Sequence, residues 1–190
     1  MLQDVLDKID ELNAMDPHRV VHDGQETSKE ILYSERMTER VHRFREDPTD
    51  VLQIAARAQH IQRWKISRQE YPMTKAGYKT WRKDLALHHS DLTSAIMEEE
   101  GYFEKKINAV RELLTKRNLK MNSDVQVLED VVCLVFLEHY FENFAKKHSE
   151  EKLITIVKKT WAKMSDHGHQ VALTLNLSEA GKDLVTRALS

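Results

Sequence analysis

Apolar residues recur along this chain at intervals of three and four, and that recurrence predicts one helix after another. Leu2, Val5, Leu6, Ile9 and Leu12 make a first stripe, ended by Asp16 and Pro17. The polar segment from His18 to Thr27 reads as a loop. A second helix starts near Ser28 and carries Ile31, Leu32, Met37, Val41 and Phe44. It must stop before Pro48, because the residue ahead of a proline is pushed towards extended geometry. Pro48 suits the first turn of a third helix. There Val51, Ile54, Ala55, Ala58 and Ile61 share one arc, with Gln53, Arg57, His60 and Trp64 opposite.

Thr74 suits the cap of a long fourth helix with the seam Tyr78, Trp81, Leu85, His89, Leu92 and Ile96, and Gly101 suits the left-handed position at its end. Phe103, Ile107, Val110 and Leu114 define a fifth. Ser123 followed by Gln126 has the form of a capping box for a sixth, running to Lys147. Its stretch Val131 to Leu137 is apolar on every side, which predicts burial all round. Ser149 opens a seventh helix through Trp161 or Met164, and Ser178 a short last one. No alternating run of strand-forming residues stands between turn signals. The expectation is an all-α fold, one compact bundle of about seven to eight helices over the whole chain, 1–190.

Composition narrows the picture. A chain of 190 residues can bury roughly 70% of its unfolded surface, so it needs no disulfide or structural metal to fold. Twenty-nine basic residues against 31 acidic ones leave a formal charge of -2, so any anion site must be local. The one cysteine, Cys133, lies in the apolar run of the sixth helix and reads as a buried small hydrophobe. Met1 to Asn13 lacks the basic start and apolar core of a signal peptide. No stretch reaches the ~18 apolar residues of a membrane span, so a cytoplasmic protein without membrane attachment is expected.

Several polar residues are poorly explained by the helical pattern. Asp130 shares a face with Leu134, Leu137 and Phe141; it needs a metal, an Arg or a His, or hydrogen bonds near a helix N-terminus. Glu129 beside it is a second ligand or a surface acid. His89 sits in an apolar seam, where its ring nitrogens need partners or belong to a site. His60 lies on the polar side of its helix with Arg57, Arg63 and Trp64. From Arg63 to Arg82, basic residues interleave with aromatics, including Trp64, Arg68, Tyr78 and Trp81; this suits phosphate contacts and base stacking, or an amphipathic stretch with core aromatics. Lys158, Lys159 and Lys163 form another basic cluster. Lys163-Met164-Ser165 matches the phosphate loop of class I aminoacyl-tRNA synthetases in three residues only, with no parallel-sheet nucleotide fold around it. His167 and His169 are placed on a loop, as a solvent-exposed pair or metal ligands. Glycine-rich phosphate loops, a nucleophile elbow and paired CxxC sites are absent.

With these residues in view, the chain resembles the bacterial and fungal family called domain of unknown function 4202. The resemblance is carried by Leu52-Gln53-Ile54-Ala55-Ala56-Arg57-Ala58-Gln59-His60-Ile61-Gln62-Arg63-Trp64, by Tyr71-Pro72 with Ala76-Gly77-Tyr78 and Trp81-Arg82, by His89 and Gly101-Tyr102, by Leu128 to Leu137, and by Lys159 to Ser165. Ser67 and Ser90 depart from the family pattern. A weaker similarity links the chain to the HD superfamily of metal-dependent phosphohydrolases, helical bundles whose metal is held by His, a His-Asp doublet and a later Asp. His60 resembles the doublet's His, His89 the helix that follows, and Asp130 the late Asp, while Ile61 replaces the doublet's Asp. The pair His22-Asp23 reads as a decoy in a loop.

That resemblance implies an HD-like fold and a hydrolase of a nucleotide or other phosphate ester. His60, His89 and Asp130, with Glu129, would be catalytic or hold one divalent metal ion. Gln53, Arg57, Arg63, Trp64, Arg68, Tyr78, Arg82, Lys159 and Lys163 are the candidate phosphate and ligand contacts. The alternatives are a non-enzymatic module for a nucleotide or single-stranded RNA, and a helical interaction protein.

Overall fold

The computed structural model describes residues 1–116 and 122–189. Among them are ten α-helices and one two-stranded hairpin, arranged in two compact units, Met1–Val125 and Gln126–Ser190. The helical reading therefore holds, with a helix count above the expected eight and an unexpected pair of strands.

In the first unit α1 (Leu2–Ala14) turns Val5 and Ile9 inward, and the segment expected as a loop forms β1 (Arg19–His22) and antiparallel β2 (Gln25–Ser28), with His22 opposite Gln25. Asp23 and Gly24 both have positive φ, 50° and 76°. An Asp-Gly pair in that conformation is the two-residue turn whose twist matches a hairpin, and Val20 and Val21 suit the strand; the short run carries too little alternation to be seen from periodicity. Ser28 ends β2 and caps α2 (Lys29–Phe44), accepting from Ile31 N at 3.2 Å.

Thr49, not Pro48, starts α3 (Asp50–Arg57), its hydroxyl accepting from Leu52 N at 3.2 Å. The helix ends a turn earlier than its apolar arc, because Gln62 takes a left-handed conformation (φ 48°) and gives its N–H to Asn13 Oδ1 at 3.1 Å instead of to a helical carbonyl. Thr74 caps α4 (Lys75–Glu99), accepting from Gly77 N at 3.1 Å, and Gly101 closes it at φ 77°. The α4 seam is buried at Leu85, His89 and Ile96, while Tyr78 near its start stays 49% exposed. α5 (Glu104–Thr115) packs along α4 and α3.

The expected capping box of the sixth helix is replaced: Asn122 Oδ1 accepts from Asp124 N at 3.0 Å, ahead of α6 (Ser123–Val135). In the second unit this run continues through a π-helical turn, Phe136–Tyr140, into α7 (Phe141–Ala145); Val131, Leu134, Val135 and Phe141 are buried, but Val132 and Phe136 are only half-buried, so the expected burial on every side is not complete. Cys133 is buried as expected. α8 (Glu150–Trp161) and α10 (Glu179–Leu189) pack together and are joined by an ion pair between Arg187 and Glu150. Between them α9 (Asp166–Leu173) occupies a stretch expected as a loop. His167 and His169 therefore stand on a helix, where His169 stacks on Trp161 with ring centroids 4.1 Å apart.

Candidate functional site

The site belongs to the first unit. Residues three and four apart on α4 share a side, so Arg82, Leu85, Ala86 and His89 line one wall of a cavity of about 330 Å³. Gln59 and Arg63, from the turn after α3, form a second wall, and Leu114, Thr115 and Lys116, at the end of α5, a third. Lys83 and Leu87, both exposed, also line it from α4. The left-handed turn at Gln62 is what redirects the chain between Gln59 and Arg63.

Three residues that line it each carry a buried nitrogen without a hydrogen bond: Gln59 Nε2, Arg63 Nη1 and His89 Nε2. A buried polar atom left without a partner costs about 1–3 kcal/mol, so three around one cavity are an expensive arrangement unless something there pairs with them. Arg63 is held in place by packing. Its guanidinium carbon lies 4.7 Å from the centre of the Trp81 ring, and Trp81 is itself fixed by a 3.0 Å hydrogen bond from Nε1 to Ile66 O.

His60 stands next to this cavity, its ring 6.2 Å from that of His89. It stacks on Tyr33 at 3.7 Å, and its Nδ1 lies 3.1 Å from Glu30 Oε2. Burial shifts all three titratable groups towards their neutral forms: the Glu30 carboxyl is pushed up to about 7, and His60 and His89 are pushed well below the usual imidazole range. Arg63 and Arg82 reinforce the shift at both histidines. Two neutral imidazoles in a cationic surround resist protonation, and each can donate a hydrogen bond to an oxyanion that offsets the surrounding charge.

The remaining sequence candidates have other partners. Arg57 pairs with Asp10 through Nε at 2.7 Å and through Nη2, and donates to Thr38 Oγ1 at 3.2 Å. Gln53 donates to Pro48 O at 2.8 Å. Arg68 ties down its own loop by donating to Tyr71 O and Pro72 O, both at 2.9 Å, and lies 6.0 Å from the Tyr78 and Trp81 rings. Trp64 is partly buried and does not line the cavity. Arg63 and Arg82 are the predicted phosphate contacts that do, and His89 the predicted catalytic residue.

Asp130 and Glu129 belong to the second unit. Asp130 accepts from Ser165 N at 2.7 Å and Ser165 Oγ at 2.6 Å, while Gln126 Nε2 lies 3.2 Å from it. Ser165 in turn caps α9 through Gly168 N, so the hydroxyl of the Lys-Met-Ser triplet is a structural cap. Glu129 is buried and pairs with Lys163 at 3.3 Å; Lys159 is exposed on α8. Among the described residues no group of three or more His, Cys, Asp or Glu side chains is arranged to hold a metal ion.

Glu30, Gln59, Lys83 and Lys116 were not singled out from sequence as site residues. Gln59 carried a signal, standing one turn before Arg63; Glu30 carried none, since an acid in the first turn of a helix is ordinary.

The family described as Domain of unknown function (DUF4202) matches residues 3–185 of the chain. The chain belongs to this family. No curated protein and no solved structure matches it. The family segment from Leu52 to Trp64 thus includes Gln59, His60 and Arg63, which in this member build the cavity wall and its neighbouring dyad.

Proposed function

We propose that the first unit binds the phosphate group of a nucleotide or other small phosphate ester in the Arg63–His89 cavity, and that the protein acts as a phosphohydrolase whose histidines correspond to those of the HD resemblance but work without its metal. The observation that carries the binding half is the set of three unpartnered buried nitrogens on residues that line one basic cavity. A phosphate group offers several acceptor oxygens on one centre, together with the charge that Arg63, Arg82, Lys83 and Lys116 complement. The hydrolytic half rests on His60 and His89. Glu30 fixes the orientation of the His60 ring, and a bound phosphate, by offsetting the charge of Arg63 and Arg82, would raise the depressed imidazole so that it can take a proton from attacking water.

The divalent ion implied by the HD resemblance does not fit the residues present. Asp130 spends both carboxylate oxygens on Ser165, and Ile61 lies in the core where the doublet's Asp would stand.

Thermal denaturation with phosphate esters, coupled to an assay for released phosphate, tests the reading. A nucleoside monophosphate at about a hundredfold its Kd should stabilise the fold by about 2.7 kcal/mol, a rise of several degrees in Tm. Arg63→Met should abolish that rise, and His60→Gln should keep the rise and lose phosphate release. Chelator should leave both readouts unchanged. A rise in Tm without phosphate release from any ester would leave a binding module in place of a hydrolase; no rise with any phosphate compound would remove the function altogether.

A further inference from the structure

Tyr78 stands one helical turn before Arg82 on α4, so the two share a side, and Arg82 lines the cavity. The seam that Tyr78 begins is buried further along at Leu85, His89 and Ile96, yet Tyr78 itself is 49% exposed. A large aromatic ring is thus presented to solvent at the cavity's end of the helix.

One indole connects that ring to the cavity. Trp81 carries the Arg63 guanidinium carbon 4.7 Å from its ring centre and the Tyr78 ring 5.7 Å away, tilted by 51°. The Tyr78 phenol is also close enough to act electrostatically on the Arg63 guanidinium. No more than an indole therefore separates Arg63 from Tyr78. In a nucleotide the phosphate and the base are separated by one ribose, a similar span.

The exposed ring has rigid support. Trp81 is anchored to Ile66 O, and Arg68, 6.0 Å from both the Tyr78 and the Trp81 ring, is tied to Tyr71 O and Pro72 O. Pro72 O in turn lies against Gly77, where any Cβ would collide with it, so this loop is docked on the first turn of α4. Aromatic rings beside guanidinium planes are the surfaces on which unpaired bases stack. A platform fixed in advance loses little freedom when a base arrives.

Resting on the phosphate reading above, we propose that the ligand is a nucleoside 5′-phosphate whose base stacks on Tyr78 while its phosphate lies in the Arg63–His89 cavity. A sugar phosphate without a base would use the cavity alone.

Isothermal titration calorimetry at fixed ionic strength tests this with ribose 5-phosphate and a purine nucleoside 5′-monophosphate, which carry the same phosphate on the same sugar. The nucleotide should bind at least about fivefold more tightly to the wild-type protein, the gain expected from one stacked base. Tyr78→Ser should erase that advantage and Tyr78→Phe should keep it, with ribose 5-phosphate held within about twofold by both variants. Equal binding of the two compounds to wild type would overturn the base platform while leaving the phosphate site intact. An advantage that survives Tyr78→Ser would also overturn it, by placing the base elsewhere. Failure of both compounds to bind would overturn the phosphate reading as well. The wild-type comparison needs no variant, so misfolding of either one cannot rescue the proposal.

Discussion

Glu30, His60 and His89 form a small cluster whose protonation opposes itself as pH changes. The Glu30 carboxyl, raised to about 7, contributes stability that is complete below its unfolded value near 4.5 and is lost as pH rises through about 7. The histidines, depressed from 6.5, are neutral in the folded chain; as pH falls below about 6.5 the unfolded chain takes up their protons and stability drops. A stability maximum near neutral pH should follow. Glu30→Gln should remove the alkaline side of that maximum, so that its Tm exceeds wild type at pH 8 and approaches it at pH 5. A variant whose Tm tracks wild type across that range would show that Glu30 titrates as an ordinary surface acid. At this scale the sequence was partly legible. His89 betrayed itself by interrupting an apolar seam, and Arg63 by its aromatic neighbours, whereas Arg57 looked equally suited to phosphate and turned out to face Asp10. Periodicity tells which side of a helix a residue occupies, and another part of the chain decides what it meets there.

At the scale of elements, α9 depends on a single carboxylate. Asp130 is 1% exposed and holds Ser165 by both its N–H and its hydroxyl. Hydrogen bonds to a charged group contribute about 1.5–3 kcal/mol, so Asp130→Ala should cost about 3 kcal/mol and speed amide exchange across α9. Glu129→Ala, with its partner Lys163 59% exposed, should cost less. Equal losses in the two variants would contradict the assignment. Gly168→Ala should also loosen α9, because an added Cβ would lie 2.5 Å from Asp130 Oδ1 and 2.9 Å from its Cγ. Unchanged melting of that variant would mean that the carboxylate yields at no cost. The sequence placed Asp130 correctly on an apolar face but called for a metal, an Arg or a His, or hydrogen bonds near its own helix N-terminus, whereas the partner is Ser165. That partner lies 35 residues away, ahead of a helix too short and polar for its stripe to be read. The hairpin escaped for the opposite reason: its one strong signal, Asp23-Gly24, is a turn signal, and it sat among residues that read equally well as loop.

For the whole molecule, helical periodicity carried most of the architecture, since Ser28, Thr74 and Ser178 all mark helix starts where the sequence put them. The site is different. It draws Gln59 and Arg63 from one turn, His89 from α4 and Lys116 from the end of α5, positions brought together only by packing. The central claim is that these groups hold one phosphate group, and side-chain nitrogen NMR addresses it most directly. On titrating inorganic phosphate into the nitrogen-15-labelled protein, the signals of Arg63, Gln59 and His89 should shift together along a single binding curve, and Arg63→Met should flatten the other two. Shifts confined to exposed lysine ammonium groups, or separate curves for the three side chains, would contradict a common phosphate site.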